Sequence, residues 1–513
     1  MKNVCSIVFS AAIICFSAVL PVQSDVVLPP FFGDNMVLQR GMRVPVRGTA
    51  APGEKVTVAV AGETVTTTTG QDGRWKVLLN AMKAGGPFKL TVSGRNTVTF
   101  SDVMIGEVWF CSGQSNMWLP IELLHDIPAD AATEPNENIR LCSVWSPESE
   151  SYGKEPEWVP CTVETLREFS AVAYFYGRYL QKELGVTVGL IHSSMGGSVP
   201  EVWMTRIALE SNPEFRPIVA YWDSVSVANP GAIDRFNSYL AVFKEAKAMG
   251  AKLPEPPAFP FVPKPLRIYM KYPQEVYDAQ LAPVVPYGIR GVIWYQGESS
   301  IDRGYQYRSL FPAMIREWRK AWNQGDFPFI FVQLANFTNN DPRMSIPELR
   351  EAQLMTLSTP NTSMAVTIDI GEDNNVHAND KWNVGKRLAL AALHDVYSRD
   401  VVSSGPVYES MSIRGNTVRL RFKHAESSLA AGGGGPLHGF TIAGDDRIFY
   451  EARAAIEGDE VVITSEKVAR PVAMRYGWES CPKCNLFNTA GLPASPFRTD
   501  TWPGVTVGRT QPL

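Results

Sequence analysis

The sequence predicts an α/β protein in which a central three-layer domain, built on a parallel sheet, is flanked by β-sandwich-type regions at both ends. Three observations support this prediction. From Val26 to Phe100, short alternating apolar runs are separated by turn residues, as in a small sandwich. From about Val103 to Tyr397, apolar runs alternate with amphipathic helical stretches, which is typical of a parallel sheet covered on both faces. After about Val402, short strand-like runs return.

Length and composition fit this division. A chain of 513 residues is long for one domain, so two or three domains are expected. We predict an N-terminal β domain at 25–101, a central domain at 102–403 with an insertion at about 211–271, and a C-terminal β region at 404–513. Hydrophobic residues make up 45% and charged residues 19%, which excludes a disordered or fibrous chain. The net charge of −4 lacks the basic excess that binds a polyphosphate backbone, so no nucleic-acid partner is expected.

The first 24 residues have the pattern of a secretory signal peptide. Lys2 precedes an apolar run from Val4 to Leu20, and Pro21 and Ser24 then supply a helix breaker and a small residue for cleavage. The run is interrupted by serines and is shorter than the about 20 apolar residues that a transmembrane helix needs. We therefore expect an exported protein, periplasmic or secreted, without a transmembrane segment. A retained membrane anchor is the alternative.

Five cysteines remain after the signal peptide is removed. An oxidising compartment makes Cys142–Cys161 and Cys481–Cys484 plausible disulfides, with Cys111 left over, although spacing alone does not determine pairing. A zinc site at Cys481 and Cys484 would require a second pair of ligands nearby, and the sequence shows none. We expect neither a metal nor another cofactor.

The central domain divides into alternating strands and helices. The predicted strands are Glu107–Cys111, Val186–Ile191, Gly291–Tyr295, Pro328–Leu334 and Ser363–Ile368. The predicted helices have apolar residues recurring every three and four positions, and are Ser170–Leu184, Gln274–Val285, Tyr305–Trp322, Ile346–Ser358 and Trp382–Tyr397. In the C-terminal region, strands are predicted at Thr417–Phe422, Phe440–Ala443 and Val461–Thr464.

Polar and glycine-rich segments follow four of the central strands. In an open parallel sheet, ligands bind where loops leave the carboxyl ends of the strands. The segments are Ser112–Met117, His192–Ser198, Gln296–Ser299 and Asp369–His377. We therefore expect the functional site along this edge of the sheet.

These segments contain the residue types that acyl transfer requires. A serine hydroxyl is a poor nucleophile until a base takes its proton, and imidazole, with a pKa near 6.5, is suited to that task at neutral pH. Of the six histidines, only His192 and His377 lie at this edge. His377 is better placed because it lies in a loop that opens a helix. His192 leads directly from an apolar strand and is interpreted as a core or supporting residue.

Other site types are excluded by their motifs. The Gly-x-Ser-x-Gly elbow of α/β-hydrolases is absent at Ser115, because Met117 stands where the second glycine is needed. The glycines at 196 and 197 lack the spacing and the lysine of dinucleotide and phosphate-binding loops. There is also no His-Glu-x-x-His metal motif. The remaining coherent interpretation is a metal-free serine esterase.

Several segments resemble the sialate O-acetylesterase family of SGNH hydrolases. They occur in the same order as in that family and span nearly all of the chain after the signal peptide. The segments are Gly106–Met117, Gly196–Ser198, Trp294–Ser299, Val376–His377 with Lys381, Val384–Gly385, Arg387–Ala389 and Gly491–Asp500. The resemblance implies an SGNH-like three-layer catalytic domain and an esterase that acts on O-acetylated sugars.

The resemblance also implies roles for individual residues. Ser115 would be the nucleophile, and His377 the base that later protonates the departing sugar hydroxyl. The oxyanion hole would consist of the Ser115 N–H, the Gly197 N–H and the Gln296 side chain, where many SGNH relatives use asparagine. Donors aimed at such an oxyanion are worth roughly 2.7–4 kcal/mol each.

The third member of the triad departs from the family pattern. Relatives often carry aspartate two or three residues before the histidine, but this chain has Asn375 and Asn374 there. Either Asp373 reaches the imidazole ring, or a backbone carbonyl orients it and the enzyme works with a Ser–His dyad. We favour the dyad. Asp369 is interpreted as structural.

Four residues are candidates for binding the substrate, and more than one sugar fits the prediction. The candidate substrate-binding residues are Asn116, Trp203, Arg206 and Glu298, of which Arg206 could meet a sialic acid carboxylate and Glu298 could instead hold loops together as a buried carboxylate. The expected partner is an O-acetylated sugar or glycan, with sialic acids as the first choice and acetylxylan or another carbohydrate as the alternative. A hypothesis of another class is a non-catalytic glycan-binding protein that uses the faces of Trp203, Trp222, Trp294 and Trp382.

Overall fold

A computed structural model of the chain describes residues 25–129, 134–144, 155–228, 273–338, 345–425 and 428–511, together with residues 238, 242, 245 and 249. The predicted signal peptide, residues 1–24, lies outside the described residues, as does most of the predicted insertion. Among the helices that are described, none is both long and apolar enough to cross a bilayer.

The described residues form 23 strands. They are β1 (Val37–Gln39), β2 (Val44–Thr49), β3 (Lys55–Val60), β4 (Glu63–Thr68), β5 (Arg74–Leu79), β6 (Gly85–Ser93), β7 (Thr97–Gly113), β8 (Asn136–Ser143), β9 (Trp158–Cys161), β10 (Val188–Ser194), β11 (Gly291–Tyr295), β12 (Phe329–Val332), β13 (Thr362–Ala365), β14 (Val407–Arg414), β15 (Thr417–Lys423), β16 (Leu429–Ala431), β17 (Phe440–Ala443), β18 (Phe449–Glu451), β19 (Arg453–Glu457), β20 (Glu460–Thr464), β21 (Ala473–Tyr476), β22 (Leu486–Asn488) and β23 (Phe497–Arg498).

Eight α-helices have both ends within the described residues. They are α1 (Ser115–Trp118), α2 (Val163–Arg167), α3 (Ala171–Leu184), α4 (Arg206–Ser211), α5 (Arg216–Ala228), α6 (Gly304–Trp322), α7 (Ile346–Met355) and α8 (Lys381–Asp395). Short 3₁₀ helices occur at Ile121–Leu123, Pro200–Trp203, Glu298–Arg303 and Thr356–Ser358, and a π-helical turn at Tyr277–Leu281.

The N-terminal region is a two-sheet β structure, as predicted. β3 pairs with β4 and β6, while β2 and β5 form a separate antiparallel pair. Alternation determines which side chains are buried: Val56, Val58 and Val60 of β3 face the core while their neighbours do not. The predicted boundary between residues 101 and 102 falls inside β7, whose first half pairs with β6 and whose second half enters the central sheet. One strand therefore joins the two regions, and a single hydrophobic core runs through both.

The central sheet confirms the predicted parallel architecture. Its order is β13-β12-β11-β7-β10-β8-β9, parallel throughout except for the antiparallel edge strand β9. All five strands predicted for this domain are present. β8 and β9 were not predicted, because β8 begins with the polar run Asn136-Glu137-Asn138 and lacks a continuous apolar signature.

Four of the five predicted helices agree closely with α3, α6, α7 and α8. Ser170 caps α3 by accepting a hydrogen bond from the Ala173 N–H, and Asp380 caps α8 in the same way from Asn383. The helix predicted at Gln274–Val285 is only the π-helical turn Tyr277–Leu281. The described start of the predicted insertion is helical. It contains α5, which buries Ile218 and Trp222.

The C-terminal region has its own hydrophobic core between small antiparallel sheets. It is anchored to the central domain by the buried guanidinium of Arg350, which donates to the backbone carbonyls of Glu479 and Ser480 at 2.7 and 2.8 Å. The side chains of Gln333 and Ser495 also join the two regions, with 2.9 Å between Nε2 and Oγ. This anchoring places the loop before Leu486 beside the edge of the central sheet.

Neither predicted disulfide is present, and all five cysteines of the described residues are free thiols. The strand register explains why Cys142 and Cys161 do not form a disulfide, because Cys142 lies opposite Trp158 while Cys161 lies opposite Asn136. Three residues along a strand are about 10 Å, which is too far for a disulfide. In the second pair, Cys481 Sγ donates to Asp373 Oδ1 at 2.9 Å instead of bonding to Cys484.

Candidate active site

The three middle strands of the central sheet end at the same level. Ser194 of β10 and Tyr295 of β11 are both register partners of Gly113 at the end of β7. The loops that follow these strands therefore leave the sheet side by side, as the sequence predicts for a parallel arrangement. They carry the nucleophile candidate Ser115, the segment around Gly197 and the Gln296–Ser299 segment.

The turn that presents Ser115 depends on a close backbone approach. Gly113 has a φ of 145°, and a Cβ atom there would lie 2.1 Å from the carbonyl oxygen of Tyr295. Only glycine fits this position. The Gln114 N–H donates to the same carbonyl at 2.9 Å, and the Gln114 side chain accepts from the Gly297 N–H at 3.3 Å. Ser115 is thus held at the first position of α1, half-buried at the edge of the sheet.

His377 reaches Ser115 from a loop 262 residues further along the chain. The distance from His377 Nε2 to Ser115 Oγ is 2.8 Å, within the range for proton transfer between a nucleophile and its base. The structure therefore brings together the two residues predicted to perform the chemistry.

The backbone of His377 is held by Asn375. The Asn375 side chain accepts from the His377 N–H at 3.0 Å and donates to the His377 carbonyl at 3.0 Å. Its Nδ2 also donates to Glu372 Oε2 at 2.9 Å. The asparagine that occupies a position where relatives often carry aspartate thus fixes the loop and not the ring. The sequence analysis missed this role, because an amide bound to neighbouring backbone has no separate sequence signal.

The environment of His377 favours its neutral form. Burial lowers the pKa of the imidazole below its usual range, and the nearby positive charge of Lys381 lowers it further. A base must be unprotonated to accept the serine proton. The half-buried ring at the edge of the sheet is therefore ready to act as a base at neutral pH.

The segment around Gly197 leaves backbone donors beside Ser115. The Met195 N–H donates to the Gly113 carbonyl at 3.0 Å, which ties this segment to the nucleophile turn. Gly197 has a φ of 71°, and no atom lies within 4 Å of the position of a Cβ. Within the part of the chain that the structure describes, no hydrogen bond uses the Gly197 N–H. This N–H and the N–H at the start of α1 thus have no acceptor among the described residues, as donors to an oxyanion require.

Gln296 does not have the arrangement predicted for an oxyanion donor. Its Nε2 donates to the Ser198 carbonyl and to Ser300 Oγ, each at 3.2 Å, and its Oε1 accepts from the Tyr307 hydroxyl at 2.9 Å. The side chain is fully buried. Both amide hydrogens already have protein acceptors, so the prediction is corrected: Gln296 supports the loop at 198 and the helix that follows β11.

Asp373 does not reach the histidine ring. Its Oδ1 accepts from the Cys481 thiol, and its backbone carbonyl accepts from the Thr338 N–H at 2.6 Å. In the described residues, no hydrogen bond joins the Asp373 carboxylate to His377. The possible triad role of Asp373 is therefore corrected to a contact with the C-terminal region. Asp369 pairs with Arg387 through two hydrogen bonds of 2.6 and 2.7 Å.

The residue after the nucleophile, Asn116, forms a buried hydrogen bond with Glu298. Asn116 is 1% exposed, and its Nδ2 donates to Glu298 Oε1 and to the Val376 carbonyl, the latter at 2.9 Å. Its Oδ1 accepts from Lys381 Nζ at 2.6 Å. Because all of these atoms are turned into the protein, the substrate-binding role predicted for Asn116 is not supported. The part of Lys381 in this cluster was missed, since a lysine in the first turn of a helix ordinarily lies on the surface.

Two further predicted substrate-binding residues have other roles. Trp203 is fully buried, and its indole N–H donates to Ser198 Oγ at 3.0 Å. Arg206 forms two hydrogen bonds of 2.7 Å with the Asp223 carboxylate and one of 2.6 Å with Glu210. Trp203 therefore cannot stack on a sugar, and the Arg206 guanidinium is already neutralised by carboxylates of the same chain.

The glycan-binding hypothesis also loses its aromatic surfaces. Trp294 is fully buried against Trp203 and Trp318, and Trp222 is 4% exposed. Of the four tryptophans proposed to bind sugars, only Trp382 is half-buried. A carbohydrate-stacking role requires an open ring face, so the three buried tryptophans serve the core. Among the described residues, no cluster of three or more His, Cys, Asp or Glu side chains is arranged to hold a metal ion.

Comparisons with known proteins agree with this chemistry. Residues 267–394 match the family described as carbohydrate esterase, sialic acid-specific acetylesterase. The sialate O-acetylesterase of Rattus norvegicus is 27% identical over 91% of this chain and 93% of its own length. The Homo sapiens sialate O-acetylesterase is 26% identical over 92% of this chain and 93% of its own length.

A solved structure is also similar over most of the chain. The crystal structure of a carbohydrate acetylesterase from Xanthomonas citri is 35% identical and superposes with a TM-score of 0.77. The similarity covers 93% of this chain and 100% of that one. The sequence likeness and the shared fold therefore extend through the flanking β regions as well as the central sheet.

Proposed function

Because the chain belongs to the sialate O-acetylesterase family of SGNH hydrolases and is a carboxylic ester hydrolase, we propose that it removes O-acetyl groups from sialic acids through an acetyl-Ser115 intermediate. The observation that carries the proposal is the 2.8 Å contact between His377 Nε2 and Ser115 Oγ. Two residues 262 positions apart meet at a hydrogen-bonding distance where a serine esterase needs them.

In the proposed acylation step, His377 takes the Ser115 hydroxyl proton while Oγ attacks the acetyl carbonyl carbon. The carbonyl oxygen becomes an oxyanion that faces the Ser115 and Gly197 N–H groups. When the tetrahedral intermediate collapses, the bond to the sugar oxygen breaks and the imidazolium returns the proton to that oxygen. The sugar leaves with a free hydroxyl, and the acetyl group remains on Ser115.

Deacylation repeats the same steps with water. His377 takes a proton from a water molecule, whose oxygen attacks the acetyl-Ser115 carbonyl. Collapse of this second intermediate releases acetate and returns the proton to Ser115 Oγ. The neutral form of His377, favoured by burial and by Lys381, suits both proton transfers.

The proposed machinery is a dyad. The carboxylate of Asp373 is engaged by Cys481, whereas the Asn375 side chain holds the His377 backbone on both sides. The loop therefore positions the imidazole through its backbone, and the ring works without a carboxylate partner. Two backbone N–H groups, and not the Gln296 amide, form the proposed oxyanion hole.

A second candidate substrate is another acetylated carbohydrate, such as acetylxylan. Two observations support it. Arg206, the predicted partner for a sialic acid carboxylate, is occupied by Asp223 and Glu210. The identity to the carbohydrate acetylesterase of Xanthomonas citri, 35%, exceeds the 27% to the rat sialate O-acetylesterase. The sugar can thus differ while the ester chemistry stays the same.

The test measures acetate release by the purified enzyme from O-acetylated sialic acid and from acetylxylan. The proposal expects a higher kcat/KM on the sialic acid ester, and Ser115→Ala should abolish activity on both substrates while leaving the circular dichroism spectrum unchanged. A large preference for acetylxylan would overturn the sialic acid assignment and favour the second candidate. Full activity of folded Ser115→Ala would overturn the mechanism.

We also propose that the enzyme works outside the cytoplasm after cleavage behind Ser24. The apolar run from Val4 to Leu20 supports export. The first buried residue after the proposed cleavage point is Val26, which is 1% exposed and donates its N–H to Asn96 Oδ1 at 2.7 Å. N-terminal sequencing of the secreted protein should start at Asp25, and an intact N-terminus on the exported enzyme would contradict the cleavage.

A further inference from the structure

One carboxamide connects the two halves of the Ser115–His377 pair. Asn116 follows the nucleophile in α1, and Val376 precedes the base in its loop. The Asn116 Nδ2 donates to the Val376 carbonyl at 2.9 Å. This hydrogen bond joins the neighbours of the two reacting side chains, 260 residues apart, so a change in its geometry moves one side chain relative to the other.

Two opposite charges hold this carboxamide in one orientation. The Lys381 ammonium lies on its oxygen at 2.6 Å, and Glu298 Oε1 accepts from its Nδ2. Rotating the carboxamide by half a turn would place its NH₂ group against the ammonium and its oxygen against the carboxylate, which electrostatics disfavours. Asn116 therefore has a single favourable orientation, in which its Nδ2 faces the Val376 carbonyl.

Lys381 and Glu298 both lie where water is largely excluded. Lys381 is 1% exposed, and its Nζ also faces the Tyr295 ring at 5.5 Å from the centroid. Glu298 Oε2 is buried without a hydrogen-bond partner among the described residues. Burial lowers the pKa of Lys381 to about 8 and raises the pKa of Glu298. Because both charges lose a hydrogen bond in a desolvated site when Asn116 is removed, its removal is costly.

We propose that Asn116, clamped between Lys381 and Glu298, is a positioning residue that sets the distance between Ser115 Oγ and His377 Nε2. This inference rests on the proposed function, in which Ser115 and His377 react. It assigns Asn116 no contact with the sugar, in keeping with its 1% exposure. Glu298 and Lys381 act through Asn116 and not on the ester.

The first experiment compares Asn116→Ala with the wild type on two esters, an O-acetylated sugar and a small aryl acetate that lacks the sugar. A misplaced nucleophile slows the chemical step for every ester, so kcat should fall about 10²-fold on both substrates while KM changes little. A residue that binds the sugar would instead raise KM for the sugar ester alone. That outcome, or a kcat within threefold of the wild type, overturns the inference.

A matched control is Asn488→Ala. Asn488 is also 1% exposed, donates to the Ser404 carbonyl at 2.9 Å and accepts from the Leu492 N–H at 3.0 Å, but it lies in the C-terminal β region. Its removal should lower the melting temperature and leave kcat unchanged. If this control lowers kcat as much as Asn116→Ala, loss of a buried carboxamide alone explains the effect and the inference is wrong.

Glu298→Gln tests the inference if Asn116→Ala does not fold. The substitution keeps the shape and an acceptor oxygen for Asn116 but removes the negative charge, so a smaller fall in kcat of about tenfold is expected on both esters. An unchanged kcat would contradict the inference. Ser115→Ala separates the two proposals. If Ser115→Ala is inactive while Asn116→Ala and Glu298→Gln both match the wild type, only the positioning role fails. If Ser115→Ala is active, the proposed function fails.

Discussion

Two serine–histidine hydrogen bonds of almost equal length lie at the same edge of the central sheet. His377 Nε2 is 2.8 Å from Ser115 Oγ, and His192 Nε2 is 2.7 Å from Ser194 Oγ. The first pair is half-buried and joins distant parts of the chain. The second pair lies within β10, where His192 is 6% exposed and Ser194 fully buried. Hydrogen-bond length alone therefore does not identify a catalytic pair.

The difference between the pairs lies in access and in proton affinity. Burial lowers the pKa of His192 to about 4, so this imidazole is a weak base and no ester can reach Ser194. His377 keeps an exposed edge, and Ser115 stands at the start of a helix beside free backbone N–H groups. An effective base has a pKa near the working pH and a position open to substrate. The His192 pair instead supports the strand that leads to Gly197.

The largest expected difference is in kcat, between the variants His377→Ala and Ser194→Ala. Removing the base from the exposed pair should lower kcat by about 10⁴-fold or more, as in other serine hydrolases. Removing the buried hydroxyl leaves His192 without its partner and should cost about 1–3 kcal/mol of stability, with kcat almost unchanged. Rates of aryl acetate hydrolysis and urea unfolding of both variants measure the two effects. A comparable loss of kcat in folded Ser194→Ala would show that the buried pair is also needed for chemistry.

The second difference is in stability at acid pH. His192 has a folded-state pKa of about 4 against 6.5 in the unfolded chain, so the unfolded state binds the proton first as pH falls. The stability associated with neutral His192 is complete above pH 6.5 and is lost as the pH falls to about 4, a total of about 3 kcal/mol. His192→Gln, which does not titrate, should show a weaker loss between pH 7 and pH 4 in urea unfolding. Identical pH dependence in both proteins would contradict a buried neutral His192.

A third, smaller effect concerns the pH profile of the exposed pair. Since His377 must be neutral to act and its pKa is lowered by burial and by Lys381, the acid limb of kcat/KM should have its midpoint below 6.5. Lys381→Met removes the second cause and should move this midpoint upward, toward 6.5, in addition to lowering kcat. The profile of wild type and variant on an aryl acetate measures the shift. A midpoint that stays in place would mean that the Lys381 charge does not reach the ring.

Much of this arrangement could be predicted from the sequence, because it depends on local patterns. Apolar runs followed by polar residues located the strand ends, which placed the segments of Ser115 and His377 at one edge of the sheet. The resemblance to the sialate O-acetylesterase family then implied that these two residues act together. The roles of Trp203 and Arg206 could not be predicted in this way. An aromatic or basic residue shortly after a functional segment has the same sequence pattern whether it faces a ligand or, as here, Ser198 and Asp223.

Long-range side-chain partners were the other source of error. Cys481 lies in the C-terminal β region, 108 residues from Asp373, and the sequence does not indicate that this region folds back onto the His377 loop. Likewise, the Lys381 ammonium points inward only because Asn116 and Glu298 lie beneath the first turn of α8. Contacts of this kind depend on the packing of separate elements, which short sequence patterns do not encode.

The smallest expected effect tests whether the exposed pair needs a carboxylate at all. Asp373→Asn removes the charge but retains an acceptor for the Cys481 thiol, so the loop should keep its position and kcat/KM should change far less than the about 10⁴-fold loss that follows neutralisation of a triad aspartate. Cys481→Ser, which keeps a donor to Asp373, is the matched control and should also retain activity. A loss of kcat/KM in Asp373→Asn close to that of His377→Ala would mean that Asp373 turns to the imidazole during turnover, and the pair would then be a triad. Activity close to the wild type in both variants would mean that the two hydrogen bonds from the Asn375 side chain to the His377 backbone orient the histidine.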